Sequence, residues 1–213
     1  MHSDKNTRRL NSANHSRTFR AFSKFASTAA AAGYWILALS AAAHAAETAP
    51  ARPNIILIMA DDMGYGDISP YGGWIETPQL QRLADGGTRF TDFHSSGNVC
   101  SPTRAGLMTG RYQQRAGIPG VIFADPSRPV HHHGLQQSET TVAELLKLAG
   151  YSTAVYGKWH LGYHTKYNPV HHGFDNFRGY VSGNIDFISH YDQSGVYDWW
   201  HNDEQIEEPG YVT

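Results

Sequence analysis

The residues around the single cysteine carry the strongest chemical pattern in the chain. Residues 100–111 read CSPTRAGLMTGR, with a proline two residues and an arginine four residues after Cys100. Pro102 suits the first turn of a helix, so we expect Cys100 at or just before a helix N-terminus, where free N–H groups and the helix dipole stabilise negative charge. Arg104 could add charge-assisted hydrogen bonds to the group at position 100 or to its bound anion. The segment predicts an anion-binding cradle, although a lone cysteine is commonly an inert buried side chain.

Two other pairs of side chains could contribute to the same chemistry. Asp61 and Asp62 follow an apolar run, and adjacent carboxylates supply the hard oxygen ligands that calcium and magnesium prefer. The alternative for such a pair is a solvated turn. Lys158 offers a positive charge for an oxyanion, and His160 can move a proton near neutral pH. Their spacing predicts that both lie on one face of an extended segment; the alternative is a surface lysine beside a core histidine.

Strands are predicted where they would position these pairs. The apolar run at residues 54–60 is typical of a strand buried on both faces, which would place Asp61 and Asp62 at its carboxyl end, where α/β proteins form ligand sites. Residues 89–93 could return as a second strand. A further strand at residues 151–156 would deliver the lysine and the histidine.

Helix signals alternate with these strands. A threonine and a proline at residues 77–78 begin a helix that two glycines at residues 86–87 end. Thr141 and Glu144 form a capping box for another helix, which Gly150 is placed to terminate. Strands that alternate with helices predict an α/β layered fold.

Two regions carry weaker signals. Beyond Pro169 the sequence has little periodicity, and we predict irregular structure there. The histidines at residues 131–133 and 171–172 follow prolines and lack carboxylates at ligand spacing, so we predict surface loops.

Charge is distributed unevenly along the chain. The first 46 residues contain six basic groups and one acid, while the rest contains 11 basic and 18 acidic groups. The body therefore lacks the excess positive charge by which nucleic-acid binders displace counterions, and no nucleic-acid partner is predicted.

The N-terminal segment resembles an export signal. Residues 1–25 are polar and basic, residues 26–43 are apolar, and residues 43–45 give a small-x-small cleavage pattern. We predict a signal peptide at residues 1–45 and a periplasmic or secreted protein without membrane contact after its removal. The alternative is a membrane anchor, since the apolar run is near the ~20 residues that span a bilayer.

The cysteine segment resembles the signature of the sulfatase family, in which Cys-x-Pro-Ser/Thr-Arg is followed by Leu, Thr-Gly and Arg. The likeness continues through PNIILIMADDMGYGD before it and GKWHLG after it, and extends over about residues 53–213. It implies an α/β fold of the alkaline-phosphatase-like type, with a mixed central sheet flanked by helices. The implied reaction is hydrolysis of an aryl or carbohydrate sulfate ester, releasing inorganic sulfate.

The resemblance also implies a set of site residues. A separate maturation enzyme would oxidise Cys100 to Cα-formylglycine, and residue 100 would share a calcium ion, or magnesium, with Asp61 and Asp62. The implied catalytic residues are Cys100, Arg104, Lys158 and His160.

In the implied mechanism, one hydroxyl of the hydrated aldehyde attacks sulfur while Arg104, Lys158 and the metal stabilise the sulfate oxygens. The alcohol leaves, and His160 then takes the proton of the second hydroxyl so that the aldehyde re-forms and sulfate is expelled.

We expect residues 46–213 to be the N-terminal part of a sulfatase catalytic domain. The family places a second pair of metal ligands, another histidine and another lysine beyond the equivalent of Thr213, so we expect the chain alone to be poorly active.

Three other functions fit parts of the pattern. Phosphonate or phosphate ester hydrolysis would use the same formylglycine and acids, as in related families. A Cys-His hydrolase would use Cys100 as a thiolate and His160 as its base. A non-catalytic fragment would only bind sulfated glycans.

Overall fold

The computed structural model describes residues 52–212. The described residues divide between two units, of which the second is Ala60–Thr213. The predicted signal peptide at residues 1–45 lies outside the described residues. Over residues 52–212, no helix has the length and apolar character needed to cross a bilayer.

The predicted strand at residues 54–60 is not formed. These residues have no regular secondary structure, and Ile56 and Ile58 are 85% and 83% exposed. A continuous apolar run indicates a preference for burial, but it becomes a strand only when a neighbouring strand pairs with it. No strand ladder among the described residues includes this run.

The Ala60–Thr213 unit contains three α-helices within its described part: α1 (Pro78–Gly86), α2 (Cys100–Thr109) and α3 (Val142–Leu148). Short 3-10 helices lie at Ser69–Tyr71, Pro129–His132, Thr165–Tyr167 and Pro169–His172. Helix α1 begins and ends as predicted, although Thr77 makes no capping hydrogen bond with its side chain. Its hydroxyl oxygen instead accepts the N–H of Ser69 at 3.0 Å.

The predicted capping box of α3 is confirmed. The hydroxyl oxygen of Thr141 accepts the N–H of Glu144 at 3.2 Å, and the carboxylate of Glu144 accepts the N–H of Thr141 at 2.7 Å. Gly150 follows the helix with a φ of 83°, in the left-handed region that favours glycine. Local signals at both ends therefore define this helix.

A four-stranded mixed sheet has the order β1-β2-β3-β4. The strands are β1 (Ala154–Lys158), β2 (Asn176–Tyr180), β3 (Trp200–His201) and β4 (Glu204–Gln205). Strands β1 and β2 are parallel, with Lys158 opposite Tyr180, and the two other pairs are antiparallel. The α/β class is confirmed. Strand β1 begins three residues later than predicted, residues 89–93 form no strand, and the prediction of irregular structure beyond Pro169 is wrong.

The main core lies between helix α2 and the parallel strands. Its buried members come from α2, from the segments around residues 116–122, 135 and 159–161, and from β2 and the residue that follows it: Ala105, Ala116, Ile118, Ile122, Leu135, Trp159, Leu161, Phe177 and Val181. The residues that flank His160 are thus both core residues. The core fixes the backbone on either side of this histidine.

His172 is fully buried, which corrects the prediction of a surface loop at residues 171–172. Its ring centroid lies 5.8 Å from that of Trp159, and neither ring nitrogen has a hydrogen-bond partner in the part of the chain that the structure describes. Burial lowers the pKa of His172 to about 4. The negative charge of Glu144 raises this pKa, and the charge of His171 lowers it further. The folded protein therefore holds this imidazole neutral.

Stability should fall as the pH drops from about 6.5 to 4. The pKa of His172 is about 4 in the folded state and 6.5 as its ordinary value, so unfolding takes up a proton in this interval and the full stabilisation is present only above it. The shift corresponds to about 3 kcal/mol. Urea unfolding at several pH values measures the effect, and His172→Phe should reduce the pH dependence without abolishing it, because burial lowers the pKa of His160 to about 4 as well. An unchanged pH dependence in that variant would contradict the assignment.

Candidate active site

Helix α2 begins at the cysteine, as the sequence predicts. Val99 is extended, with φ −146° and ψ 173°, and Cys100 is the first helical residue. The hydroxyl of Thr103 donates to the carbonyl of Gly97 at 2.9 Å, which ties the first turn to the preceding loop. Cys100 is partly exposed and is a free thiol. Its side chain is therefore accessible at the N-terminal end of a helix.

Two cations from different elements meet on one carboxylate. Lys158 Nζ lies 2.5 Å from Asp61 Oδ2, and an Arg104 guanidinium nitrogen lies 3.4 Å from the same oxygen. The guanidinium also donates to the carbonyl of Lys158 at 2.5 Å. The lysine and arginine side chains are only 11% and 13% exposed. Arg104 thus contacts Asp61 and β1, and the structure brings three of the predicted site residues together.

The cations also change the acidity of the carboxyl group. Partial burial raises the pKa of Asp61, but the hydrogen bond and charge of Lys158, with those of Arg104, outweigh it and hold the pKa below its usual range. Asp61 is therefore ionised at any pH near neutrality, and it neutralises part of the charge of the two cations.

His160 is held in an unusual backbone conformation. Its φ is 57°, in the left-handed region that non-glycine residues rarely adopt. The residue is 2% exposed. This conformation ends the extended segment after β1, so the predicted i, i+2 alignment with Lys158 does not apply. Lys158 is nevertheless close enough for its positive charge to lower the pKa of His160.

The hydrogen bonds of His160 define its tautomer. Nε2 lies 2.8 Å from the carbonyl oxygen of Ile122, and Nδ1 is buried without a hydrogen-bond partner among residues 52–212. Because a carbonyl only accepts, Nε2 must carry the proton. Burial lowers the pKa of His160 to about 4, and the charges of Lys158 and Arg104 act in the same direction. The ring is therefore neutral, with a free lone pair on Nδ1.

The chain beyond Pro169 clamps this ring. A Cβ added to Gly183 would lie 2.7 Å from Cε1 and 3.0 Å from Nε2 of His160, so only glycine fits there. The phenol oxygen of Tyr163 accepts the N–H of Gly183 at 3.3 Å, and its ring packs edge-on to the imidazole. No periodic pattern in the sequence predicts this contact, and the glycine itself is its only sequence signal.

Asp198 holds the segment that carries Gly183. Its buried carboxylate accepts the N–H groups of Val181 at 3.1 Å and Ser182 at 2.7 Å. It also accepts the indole N–H of Trp200 at 2.6 Å. A buried carboxylate with all these donors positions the loop against the histidine.

The described residues contain no group of three or more His, Cys, Asp or Glu side chains that could hold a metal ion. Asp61 is engaged by two cations, and Asp62 is an exposed residue with a φ of 60°. The donors are of the type that calcium prefers, but residues 52–212 do not complete a ligand set. The assignment of Asp61, Asp62 and residue 100 to a metal stays a prediction.

Comparison with known proteins identifies the family. A family model described as Sulfatase matches residues 53–206, and the chain belongs to the sulfatase family. The chain is 47% identical to bovine (Bos taurus) arylsulfatase A over 149 residues, which are 68% of this chain and 28% of the relative. It is 46% identical to human (Homo sapiens) steryl-sulfatase over 149 residues, which are 64% of this chain and 25% of the relative. The chain thus spans about a quarter of the length of these relatives.

The fold agrees with this assignment. The crystal structure of Ps i-CgsB in complex with k-i-k-neocarrahexaose superposes with a TM-score of 0.66 at 31% identity, covering 76% of this chain and 39% of that chain. The predicted fold of the alkaline-phosphatase-like type is confirmed over the matched part.

Substituting Gly183 tests the clamp. In Gly183→Ala the new methyl group would overlap the imidazole, so we expect the ¹⁵N signals of His160 to shift and stability to fall by about 1–3 kcal/mol. Gly120→Ala is the matched control, because a Cβ there meets nothing within 4 Å. Unchanged His160 signals in Gly183→Ala would show that the clamp is not present in solution.

Proposed function

We propose that the protein hydrolyses sulfate esters of aryl alcohols or carbohydrates through a formylglycine made from Cys100. The observation that carries the proposal is that two nearly buried cations, Lys158 and Arg104, act through their charge on a neutral histidine whose Nδ1 has no partner among residues 52–212. The net reaction adds one water across the S–O bond and yields the alcohol and inorganic sulfate.

Lys158 and Arg104 would bind and polarise the sulfate group. Charged hydrogen bonds in a site with little solvent are stronger than those in water, because the surroundings screen them less. The cations are fixed before substrate arrives, since Arg104 is bonded to the carbonyl of Lys158. Their charge is therefore preorganised for the oxygens that become more negative in the transition state.

His160 would act as a base through Nδ1. A base must be unprotonated at the working pH, and the pKa of about 4 meets this requirement. The hydrogen bond to Ile122 keeps the proton on Nε2, so the lone pair on Nδ1 stays available for a proton from residue 100.

Residue 100 and a metal would supply the remaining chemistry. As a hydrated aldehyde, residue 100 would offer two hydroxyls on one carbon, one to attack sulfur and one to give up its proton later. The position suits the modification, because the cysteine is accessible at a helix start. Asp61 and Asp62 would hold calcium or magnesium, which supplies Lewis acidity when bound. Further ligands would have to come from outside residues 52–212.

The substrate class is inferred from the relatives. One is named an arylsulfatase, another a steryl-sulfatase, and the third was crystallised with a neocarrahexaose. These names support a sulfate ester over the phosphonate alternative. We further propose export by the segment at residues 1–45, and maturation by a formylglycine-generating enzyme.

Mass spectrometry of the tryptic peptide spanning residues 90–104 tests the nucleophile. In protein made with the maturation enzyme, we expect an aldehyde or its hydrate in place of the thiol. Turnover of nitrophenyl sulfate, measured in the same sample beside nitrophenyl phosphonate, should favour the sulfate. An unmodified thiol that iodoacetamide alkylates would contradict the proposed mechanism and favour a Cys-His hydrolase. Cys100→Ala is the control for background hydrolysis.

Lys158→Ala tests anion binding independently of turnover. Removing one charged hydrogen bond should weaken the binding of inorganic sulfate by about 10- to 100-fold, as measured by calorimetry. Lys147→Ala is the matched control, because that lysine pairs with Asp175 at 2.5 Å outside the site. Equal sulfate affinity in both variants would remove Lys158 from the site.

A further inference from the structure

Ser101 is buried next to the predicted nucleophile, and neither the anion cradle nor the proposed reaction accounts for it. The residue has 0% exposure, and it lies in the first turn of α2. Its hydroxyl oxygen accepts the backbone N–H of Ile122 at 3.2 Å, across 21 residues of sequence. This hydrogen bond ties the start of helix α2 to the backbone at Ile122.

The backbone of Ile122 is bonded on both sides. Its N–H donates to Ser101, and its carbonyl oxygen accepts the Nε2 proton of His160 at 2.8 Å. Ile122 is 1% exposed, so water cannot replace either bond. One backbone residue therefore connects the hydroxyl of Ser101 to the imidazole.

We propose that Ser101 is a positioning residue that sets the orientation and tautomer of His160 through the backbone of Ile122. The inference rests on the proposed function, because it assigns the base of that same reaction. Since Ser101 is bonded covalently to Cys100, this path of two hydrogen bonds links the residue that attacks to the residue that accepts the proton.

The path explains why the free nitrogen faces a fixed direction. If the N–H of Ile122 lost its partner, the carbonyl on the same residue could turn, and Nε2 would lose its acceptor. The imidazole would then sample the other tautomer, with the proton on Nδ1, and that form cannot accept a proton from residue 100. The cations and residue 100 would stay in place.

Histidine ¹⁵N NMR on the 213-residue chain measures this directly. In the parent, His160 should show strongly separated shifts, with a protonated Nε2 and a bare Nδ1. In Ser101→Ala the two shifts should move towards each other, and in Ser101→Thr, which keeps the oxygen, they should return. Shifts of His160 that stay at the parent values in Ser101→Ala would overturn the proposal.

A control variant separates positioning of His160 from a general loss of stability. Thr141→Val removes another buried hydroxyl, which donates to the carbonyl of His172 at 2.7 Å, and it should leave the His160 shifts unchanged. Movement of the His160 shifts in Thr141→Val equal to that in Ser101→Ala would overturn the proposal. If Ser101→Ala does not fold, Ser101→Cys replaces it, because sulfur is a weak acceptor in a side chain of similar size.

Kinetics add a second readout. For each molecule that carries formylglycine, Ser101→Ala should lower kcat for nitrophenyl sulfate by about 10- to 100-fold and leave KM nearly unchanged. An equal kcat in parent and variant would count against the proposal. Faster turnover of nitrophenyl phosphonate than of nitrophenyl sulfate by the parent would instead count against the proposed function, and the NMR comparison would still decide the role of Ser101.

Discussion

The hydrogen bond between the carbonyl of Ile122 and Nε2 of His160 is the interaction on which the site depends. It gives the imidazole a single proton position, and burial then keeps the ring neutral. A buried histidine with one satisfied nitrogen and one free nitrogen costs the fold stability, because the free nitrogen has lost its water. The core residues on either side of it, Trp159 and Leu161, offset that cost by packing.

The rest of the site is arranged around this ring by elements far apart in sequence. Helix α2 provides the cysteine and the arginine, β1 provides the lysine, and the segment after β2 provides the glycine that lies against the imidazole. Side chains tie one element to the backbone of another, as when the Arg104 guanidinium donates to the carbonyl of Lys158. Such a contact leaves rotamer freedom on one partner only, since a backbone carbonyl has none.

Local signals made part of this structure predictable. The start of α2 at Cys100, the start of α1 after a threonine and proline, and the capping box of α3 all follow from residues within one turn of each other. The α/β class followed from alternation of such segments. The close approach of Lys158, Arg104 and Asp61 was suggested only by the resemblance to a family, because their sequence separations are long.

The failures have a common physical cause. Residues 54–60 and 89–93 have the composition of strands. A strand forms only when it pairs with another strand, and local sequence does not specify which segments pair. The short strands β3 and β4 have two residues each, too few for any periodicity to register. The left-handed conformation of His160 is imposed by its surroundings, since histidine has no intrinsic preference for it.

In the site, Asp61 acts as a built-in counterion for Lys158 and Arg104. Two cations that faced solvent would gather mobile counterions, and an incoming anion would have to displace them at an entropic gain that disappears as ionic strength rises. Here a fixed carboxylate already occupies that place, 2.5 Å from the lysine. When an anion binds, it takes over contacts with the cations that the Asp61 carboxylate made before. Salt screens the attraction of the cations to the carboxylate and to the anion alike, so the two effects largely cancel. The affinity of such a site for an anion therefore depends only weakly on ionic strength.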